Sequence, residues 1–189
     1  MRLNWDQATW TNQPENSIEA GDELWVTASP ESDYWNRTSY GFLHHSGHGL
    51  LADLEPNSAM EIEFLLDFDG QFDQAGLLLF ANNENWIKAG VEFSDGLPQA
   101  GAVVTSHFSD WSVSPVSEWA NQWVRVRVSR AEQDVTIRAG IGPLRLMRVA
   151  PMDASLDWKC GPMVCAPTRS GLSLRFRNWQ LLDPDSSLH

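Results

Sequence analysis

The chain has 189 residues and carries 25 acidic against 13 basic side chains, which gives a formal net charge of −12. A chain of this length buries a substantial core within one unit, so we expect a single domain over residues 1–189. Phosphate backbones and anionic membranes attract basic proteins, so the acidic balance argues against nucleic acid and membrane partners.

The N-terminal segment has no apolar run of signal-peptide length, and no stretch approaches the ~20 apolar residues of a membrane span. These features predict a cytoplasmic protein. Four residues separate Cys160 from Cys165, a spacing that fits neither a zinc site nor a thioredoxin-type pair. In a reducing compartment we expect two free thiols rather than a disulfide.

In chain order, residues 1–22 are polar and rich in turns, and Trp5 and Trp10 are expected to pack this arm onto the body. Short segments rich in β-forming residues, with Gly, Pro, Asp or Ser between them, follow. They predict strands at 24–28, 60–68, 75–81, 86–93, 100–108, 123–129, 134–139, 144–149 and 172–182. Only 117–120 is a helical candidate, of one or two turns. About ten short strands predict an all-β, two-sheet jelly-roll sandwich.

The strand at 86–93 has two different faces, because successive strand side chains point to opposite sides. One side is apolar throughout and predicts a core face: Ile87, Ala89, Val91 and Phe93. The other side carries an aromatic ring, a cation, a glycine without a side chain and an anion: Trp86, Lys88, Gly90 and Glu92. A solvated face has no need of a tryptophan, so we interpret this side as the lining of a cleft.

Lys88 and Glu92 lie ~13 Å apart along an extended strand and are therefore not expected to pair with each other. Each needs a partner from a neighbouring strand or from a ligand. A cross-strand salt bridge and a ligand contact are equally compatible with the sequence.

Several blocks of the sequence resemble one family, the domain of unknown function DUF1349, which is also labelled regulation-of-enolase-like and belongs to the concanavalin A-like lectin/glucanase superfamily. The blocks run in order along nearly the whole chain: 33–42, Gly47-His48, 74–77, 85–92, 109–112, 161–163 and Ala166-Pro167. The resemblance implies a two-sheet jelly roll whose concave sheet bears a ligand groove. It implies no reaction, because the family is largely uncharacterised and a fold does not determine a function.

Sugar recognition combines an aromatic ring, which contacts the C–H face of a pyranose, with charged or amide groups that bind its hydroxyls. The loop at 109–112 offers both a ring and a carboxylate, and aromatic residues at 34–48 can line one end of a groove. The predicted ligand-binding residues are Trp86, Lys88, Glu92, Asp110, Trp111, Tyr40 and His48. The leading interpretation is a non-catalytic domain that binds a carbohydrate or small polar ligand and uses no cofactor.

Two further interpretations stay open. A glycoside hydrolase or lyase would use Glu92, or Glu61 with Glu63, as acid or base. Leu65 occupies the position of the third carboxylate in laminarinase-like members of the superfamily, which argues against catalysis. The other interpretation is a protein-interaction module in metabolic regulation, which a broad apolar patch in place of a groove would favour.

The segment 44–48 contains three imidazoles. A metal site there would require His44, His45 and His48 to converge with a carboxylate such as Asp53. Nothing else in the sequence supports such a site, and no metal ligands are predicted.

Overall fold

The computed structural model describes residues 1–188, within which the regular elements are sixteen strands and two 3-10 helices, Trp5–Gln7 and Ser117–Trp119. In chain order the first eight strands are β1 (Thr9–Trp10), β2 (Asn16–Ala20), β3 (Glu23–Thr27), β4 (Tyr34–Asn36), β5 (Leu43–His45), β6 (His48–Asp53), β7 (Ser58–Leu65) and β8 (Gln74–Asn82). The remaining strands are β9 (Asn85–Ser94), β10 (Leu97–Ser106), β11 (Phe108–Pro115), β12 (Trp123–Arg130), β13 (Asp134–Gly140), β14 (Arg145–Pro151), β15 (Lys159–Cys165) and β16 (Ser173–Leu182).

The strands form two seven-stranded antiparallel sheets that pack face to face, together with the separate hairpin β4–β5. The front sheet has the order β1-β6-β15-β8-β9-β10-β11, and the back sheet has the order β14-β13-β12-β7-β16-β3-β2. The architecture is therefore the predicted all-β sandwich of jelly-roll type. The helix predicted at 117–120 is a single 3-10 turn.

Alternation along the strands builds the core between the sheets. In the back sheet, Val126 of β12 lies opposite Ile62 of β7, and both side chains are fully buried. In the front sheet, Ile87, Ala89 and Val91 of β9 form the predicted core face. Burial of one such aliphatic side chain contributes about 1.5–3 kcal/mol, so these rows fix which face of each strand points inward.

The N-terminal arm packs as expected and also contributes strands. The ring of Trp5 is buried and stacks on Trp179, with centroids 5.4 Å apart. Beyond it, β1 extends the front sheet and β2 extends the back sheet. Neither strand was predicted, because this segment is polar and interrupted by turn residues.

A second apolar cluster lies outside the sandwich, where the hairpin β4–β5 covers the outer face of the front sheet. Its buried members are Tyr34, Trp35, Leu51, Leu78, Trp86, Val103, Met163 and Cys165. Strand β8 is therefore buried on both faces, as its apolar sequence predicts. The hairpin is what encloses the site described below.

Both cysteines are free and buried, in agreement with the prediction of two thiols. Burial raises the pKa of each thiol above its ordinary value. Within residues 1–188, no helix has the length and apolar character needed to cross a membrane.

Candidate functional site

A cavity of about 480 Å³ opens between the hairpin β4–β5 and the outer face of the front sheet. We call it the front pocket. Its lining consists of aromatic rings, carboxylates, one lysine, one buried amide and one proline: Glu31, Asp33, Trp35, Tyr40, Phe42, His44, Phe72, Gln74, Lys88, Glu92, Trp111 and Pro167.

The registers of β8, β9 and β10 place matching residues side by side in the floor of the front pocket. One row consists of Gln74, Glu92 and Gln99, and the next consists of Gly76, Gly90 and Gly101. The glycine row has no side chains, so the floor lies low between the polar row and Lys88. A smaller depression includes Gly90 and Gly101 and shares Lys88, Glu92 and Trp111 with the front pocket.

Lys88 is held by Asp33, which immediately precedes β4. The Lys88 Nζ atom lies 2.7 Å from Asp33 Oδ1, and the side chain of Lys88 is only 5% exposed. Asp33 Oδ1 also accepts hydrogen bonds from the backbone N–H of Tyr34 at 2.8 Å and from Gln74 Nε2 at 3.3 Å. Burial lowers the pKa of Lys88, but the carboxylates of Asp33 and Glu92 outweigh it and leave the pKa raised. Lys88 therefore stays charged.

Glu92 is the carboxyl group of the site with the most altered acidity. Burial raises the pKa of Glu92 to about 7, the negative charge of Asp33 adds to this effect, and Lys88 opposes it. The group therefore changes its charge near neutral pH, at the surface that a ligand would contact.

We expect Glu92 to make stability fall as the pH rises from about 5 to about 7. The folded chain retains the Glu92 proton up to a pKa of about 7, whereas the unfolded chain releases it near 4.5. Stabilisation by this group is therefore present below pH 4.5 and is lost as the pH rises through 7. We expect a loss of about 2 kcal/mol, measured by urea unfolding at a series of pH values. In Glu92→Gln, this part of the pH dependence should disappear; a wild-type profile identical to that of the variant would contradict the assignment.

One wall of the front pocket is a chain of rings in mutual contact. Trp35 meets Trp111 at 85° with centroids 6.5 Å apart, and meets Tyr40 at 64° and 5.7 Å. Tyr40 stacks on Phe42 at 5.2 Å, and Phe42 meets His44 at 73° and 4.7 Å. Trp111 and Tyr40 are 40% and 62% exposed, so their rings are available to a ligand. Because several neighbouring rings meet at steep angles, the surface of the wall has corners and is not a single flat plane.

The structure brings together four of the predicted ligand-binding residues: Lys88, Glu92, Trp111 and Tyr40. Their role in binding stays a prediction. Trp111 was expected on a loop but lies in the edge strand β11, in register with Val103, which in turn faces Lys88. Register therefore puts Trp111 and Lys88 on the same face of the sheet.

The expectation that Trp86 lines the cleft is not met. Its side chain is fully buried under the hairpin, with its ring 5.7 Å from that of Tyr34. Trp86 does point to the predicted face of β9, but the hairpin covers that end of the strand. Trp86 therefore belongs to the apolar cluster under the hairpin and not to the pocket lining.

Asp110 and His48 also lie outside the lining of the front pocket. Asp110 neighbours Trp111 in β11, so alternation turns it away, and its Oδ2 atom pairs with Arg148 Nη2 at 2.7 Å. The buried ring of His48 donates from Nδ1 to the Asn12 carbonyl and accepts the Ser29 N–H at Nε2, each at 3.0 Å. Burial lowers the pKa of His48, which fits this neutral, structural role.

The other residues considered for chemistry are dispersed. Glu61 and Glu63 lie on the outer face of the back sheet, where Glu61 is 3.8 Å from Arg127 and Glu63 is 2.7 Å from Arg177. His44 lines the front pocket, whereas the buried His48 does not, and Asp53 pairs with Lys159 at 3.4 Å. The geometry therefore makes neither a catalytic glutamate pair facing the front pocket nor a cluster of the three imidazoles with Asp53.

Sequence reasoning missed Asp33, the partner of Lys88, and also Glu31, Phe72 and Gln74. One signal pointed to Asp33: Lys88 on a buried strand required an anion, and Asp33 opens the aromatic block 33–42. Nothing in the local pattern joins the two, because they lie 55 positions apart in the sequence.

Comparisons with known proteins agree with this architecture. The profile of DUF1349, described as a protein of unknown function, matches residues 10–184. Regulation of enolase protein 1 of Saccharomyces cerevisiae is 31% identical over 179 residues, which cover 94% of this chain and 90% of the yeast protein.

Two solved structures are similar in fold. A crystal structure of a functionally unknown protein from Saccharomyces cerevisiae superposes with a TM-score of 0.91 at 29% identity, covering 97% of this chain and 100% of that chain. An engineered GH43 glycoside hydrolase with endo-xylanase and exo-arabinofuranosidase activity gives a TM-score of 0.73 at 14% identity. That match covers 97% of this chain but only 39% of the enzyme, so it shows a shared fold alone.

Proposed function

Since this chain belongs to the DUF1349 family of proteins of unknown function, we propose a function from the chemistry of its own site. The front pocket binds a small polar ligand, such as a carbohydrate, without catalysing a reaction on it. The observation that carries the proposal is the joint lining of one cavity by exposed rings and by buried polar groups. Ligand sites in proteins commonly combine an apolar wall with a few polar groups that fix orientation.

The size and chemistry of the front pocket support this function. A cavity of about 480 Å³ lies within the range of small-molecule sites. The ring of Trp111 offers a face to the C–H side of a sugar, while Glu92 and Gln74 offer groups that bind hydroxyls. The structural similarity to part of a sugar-processing enzyme supports a carbohydrate as the first ligand class to test.

Replacement of Trp111 by Ala is expected to weaken ligand binding at least tenfold while leaving the fold intact. Its ring is 40% exposed and lines the front pocket, so its loss removes the ligand contact without opening the core. A thermal-shift screen of mono- and oligosaccharides first identifies a compound that raises Tm. Its affinity for both proteins is then measured by isothermal titration calorimetry, whose signal does not depend on the deleted ring.

Trp25→Ala is the matched control. Trp25 is also 40% exposed, but it lies on β3 in the back sheet and does not line the front pocket. We expect this variant to bind as the wild type does. Equal losses in the two variants, or a loss only in Trp25→Ala, would place the ligand elsewhere and refute the proposal.

Glycoside hydrolysis is a second candidate, favoured by one observation. The raised pKa of Glu92, about 7, is typical of a general acid, and Asp33 supplies a carboxylate in the same pocket. If the protein hydrolyses nitrophenyl glycosides of glucose, xylose or arabinose, Glu92→Gln should reduce the rate at least a hundredfold. Turnover that is unaffected by this substitution would count against the candidate.

The interaction-module hypothesis was tied to a broad apolar patch in place of a groove. The front sheet instead carries a pocket with buried polar groups, and this geometry supports ligand binding better. The name of the yeast relative refers to regulation of enolase, and a protein partner is therefore a hypothesis about that relative.

A further inference from the structure

We propose that the ligand of the front pocket carries a positively charged ammonium group, which binds between the aromatic wall and the carboxylates of Glu31, Asp33 and Glu92. The inference deepens the proposed function and rests on it: it names the charge of the ligand that the same pocket would select. Three features of the pocket carry it, namely the balance of charges, a carboxylate oxygen left open and the arrangement of the rings.

The charges that line the front pocket do not balance. Three carboxylates, those of Glu31, Asp33 and Glu92, face one lysine. That lysine is already committed, because Lys88 Nζ lies 2.7 Å from Asp33 Oδ1 and its side chain is only 5% exposed. The ion pair neutralises Lys88 and leaves the carboxylates of Glu31 and Glu92 in excess. A cationic ligand complements this excess, whereas an anionic one would be repelled.

Asp33 retains binding capacity beyond the lysine. Within residues 1–188, its three side-chain hydrogen bonds, from Lys88, Tyr34 and Gln74, all reach Oδ1. The Oδ2 atom accepts none of them, and the side chain is 18% exposed. An ionised carboxylate carries negative charge and accepts hydrogen bonds at both oxygens, so Oδ2 can attract an ammonium group and can also accept from an N–H or O–H group, such as the choline hydroxyl, that enters from the pocket.

The rings form corners, and this arrangement suits a cation better than a flat sugar ring alone. Trp35 lies at 85° to Trp111, with the two centroids 6.5 Å apart, and at 64° to Tyr40, with those centroids 5.7 Å apart. A pyranose stacks on a single ring plane, whereas an ammonium group is attracted to several ring faces at once through the quadrupole of each. Rings meeting at corners, with carboxylates beside them, are typical of sites that bind quaternary ammonium groups.

Choline tests the inference against neohexyl alcohol, its neutral isostere, in which carbon replaces the quaternary nitrogen. The two molecules have the same shape and hydroxyl group, and the choline charge does not change with pH. Isothermal titration calorimetry of the full chain at pH 8 should give at least tenfold tighter binding of choline. A neutral sugar series, run on the same samples, reports on the proposed function independently.

Two variants locate the charge effect. Glu92→Gln copies the shape of the protonated carboxyl and should reduce the preference for choline at least fivefold. Glu84→Gln removes the same charge from an exposed residue outside the lining and should leave the preference unchanged.

The outcomes distinguish a failure of the ammonium inference from a failure of the proposed function. Equal affinity for choline and neohexyl alcohol, no binding of either, or a preference that survives in Glu92→Gln overturns the ammonium inference. If neutral sugars still bind in a Trp111-dependent way, the proposed function stands without it. If neither the sugars nor choline bind, both fail.

Discussion

Replacement of Asp33 by Ala is expected to destabilise the protein by about 3 kcal/mol, because it leaves the charge of Lys88 buried without its partner. Lys88 is 5% exposed, and its ammonium group lies 2.7 Å from Asp33. A buried charge without a partner loses its hydration, and no ion pair compensates for that loss. Chemical denaturation at pH 8 measures the loss.

The double variant Asp33→Ala with Lys88→Met distinguishes a buried-charge effect from lost packing. Met preserves most of the volume of the lysine side chain without its charge, so the double variant should be more stable than Asp33→Ala alone. The single variant Lys88→Met gives the reference loss of unfolding free energy. If the double variant is less stable than Asp33→Ala by that full loss, the two residues act independently and their ion pair does not stabilise the fold.

Gly90→Ala is expected to destabilise the protein by about 3 kcal/mol or more. A Cβ atom at position 90 would lie 2.1 Å from the carbonyl oxygen of Ala75 and 2.7 Å from the Cα of Gly76. These are backbone atoms of the neighbouring strand, so relief requires β8 and β9 to separate rather than a side chain to rotate. The same strands carry the floor of the front pocket, and binding should fall together with stability.

Gly142→Ala is the matched control for this substitution. A Cβ atom at Gly142 meets nothing within 4 Å, so Ala should be tolerated there with a change of less than about 0.5 kcal/mol. Urea unfolding of both variants compares them directly. A Gly90→Ala protein as stable as Gly142→Ala would show that the strands at the pocket floor do not approach as closely as described.

The part of the fold that follows from local periodicity was predictable. Strand β9 was expected over 86–93 and spans Asn85–Ser94, and its inward and outward faces are the ones that alternation assigns. Burial of one face enforces this alternation, because a slip of one residue would turn every core side chain outward. The same reason accounts for the inward row of valines in β12.

Strands β15 and β11 are among the strands of the front sheet that were not predictable from the same signals. Strand β15 contains Pro162, which normally argues against an interior strand because it lacks an N–H group. Its register with β6 pairs Cys160 and Met163 but not the residues between them, so the proline sits where the ladder is interrupted. Strand β11 is polar because it forms an edge, and its composition resembled that of a loop.

The site depends on contacts between distant parts of the chain, and the sequence pattern does not predict which distant residues meet. Alternation put Trp86 and Lys88 on the outer face of the sheet, but it carries no information on the hairpin that covers Trp86. The partner of Lys88 comes from a position 55 residues away. The sequence thus indicated the correct face of the sheet, whereas the enclosure of the pocket emerges only from tertiary packing.

The most direct test of the front pocket as a binding site is a crystal structure of the protein with the compound that raises its Tm most. We predict that the compound lies against the rings of Trp111 and Tyr40, with a polar atom within hydrogen-bond distance of the Glu92 carboxyl group. A compound bound instead on the outer face of the back sheet, beside Trp25 and Trp123, with the front pocket holding only water, would contradict it.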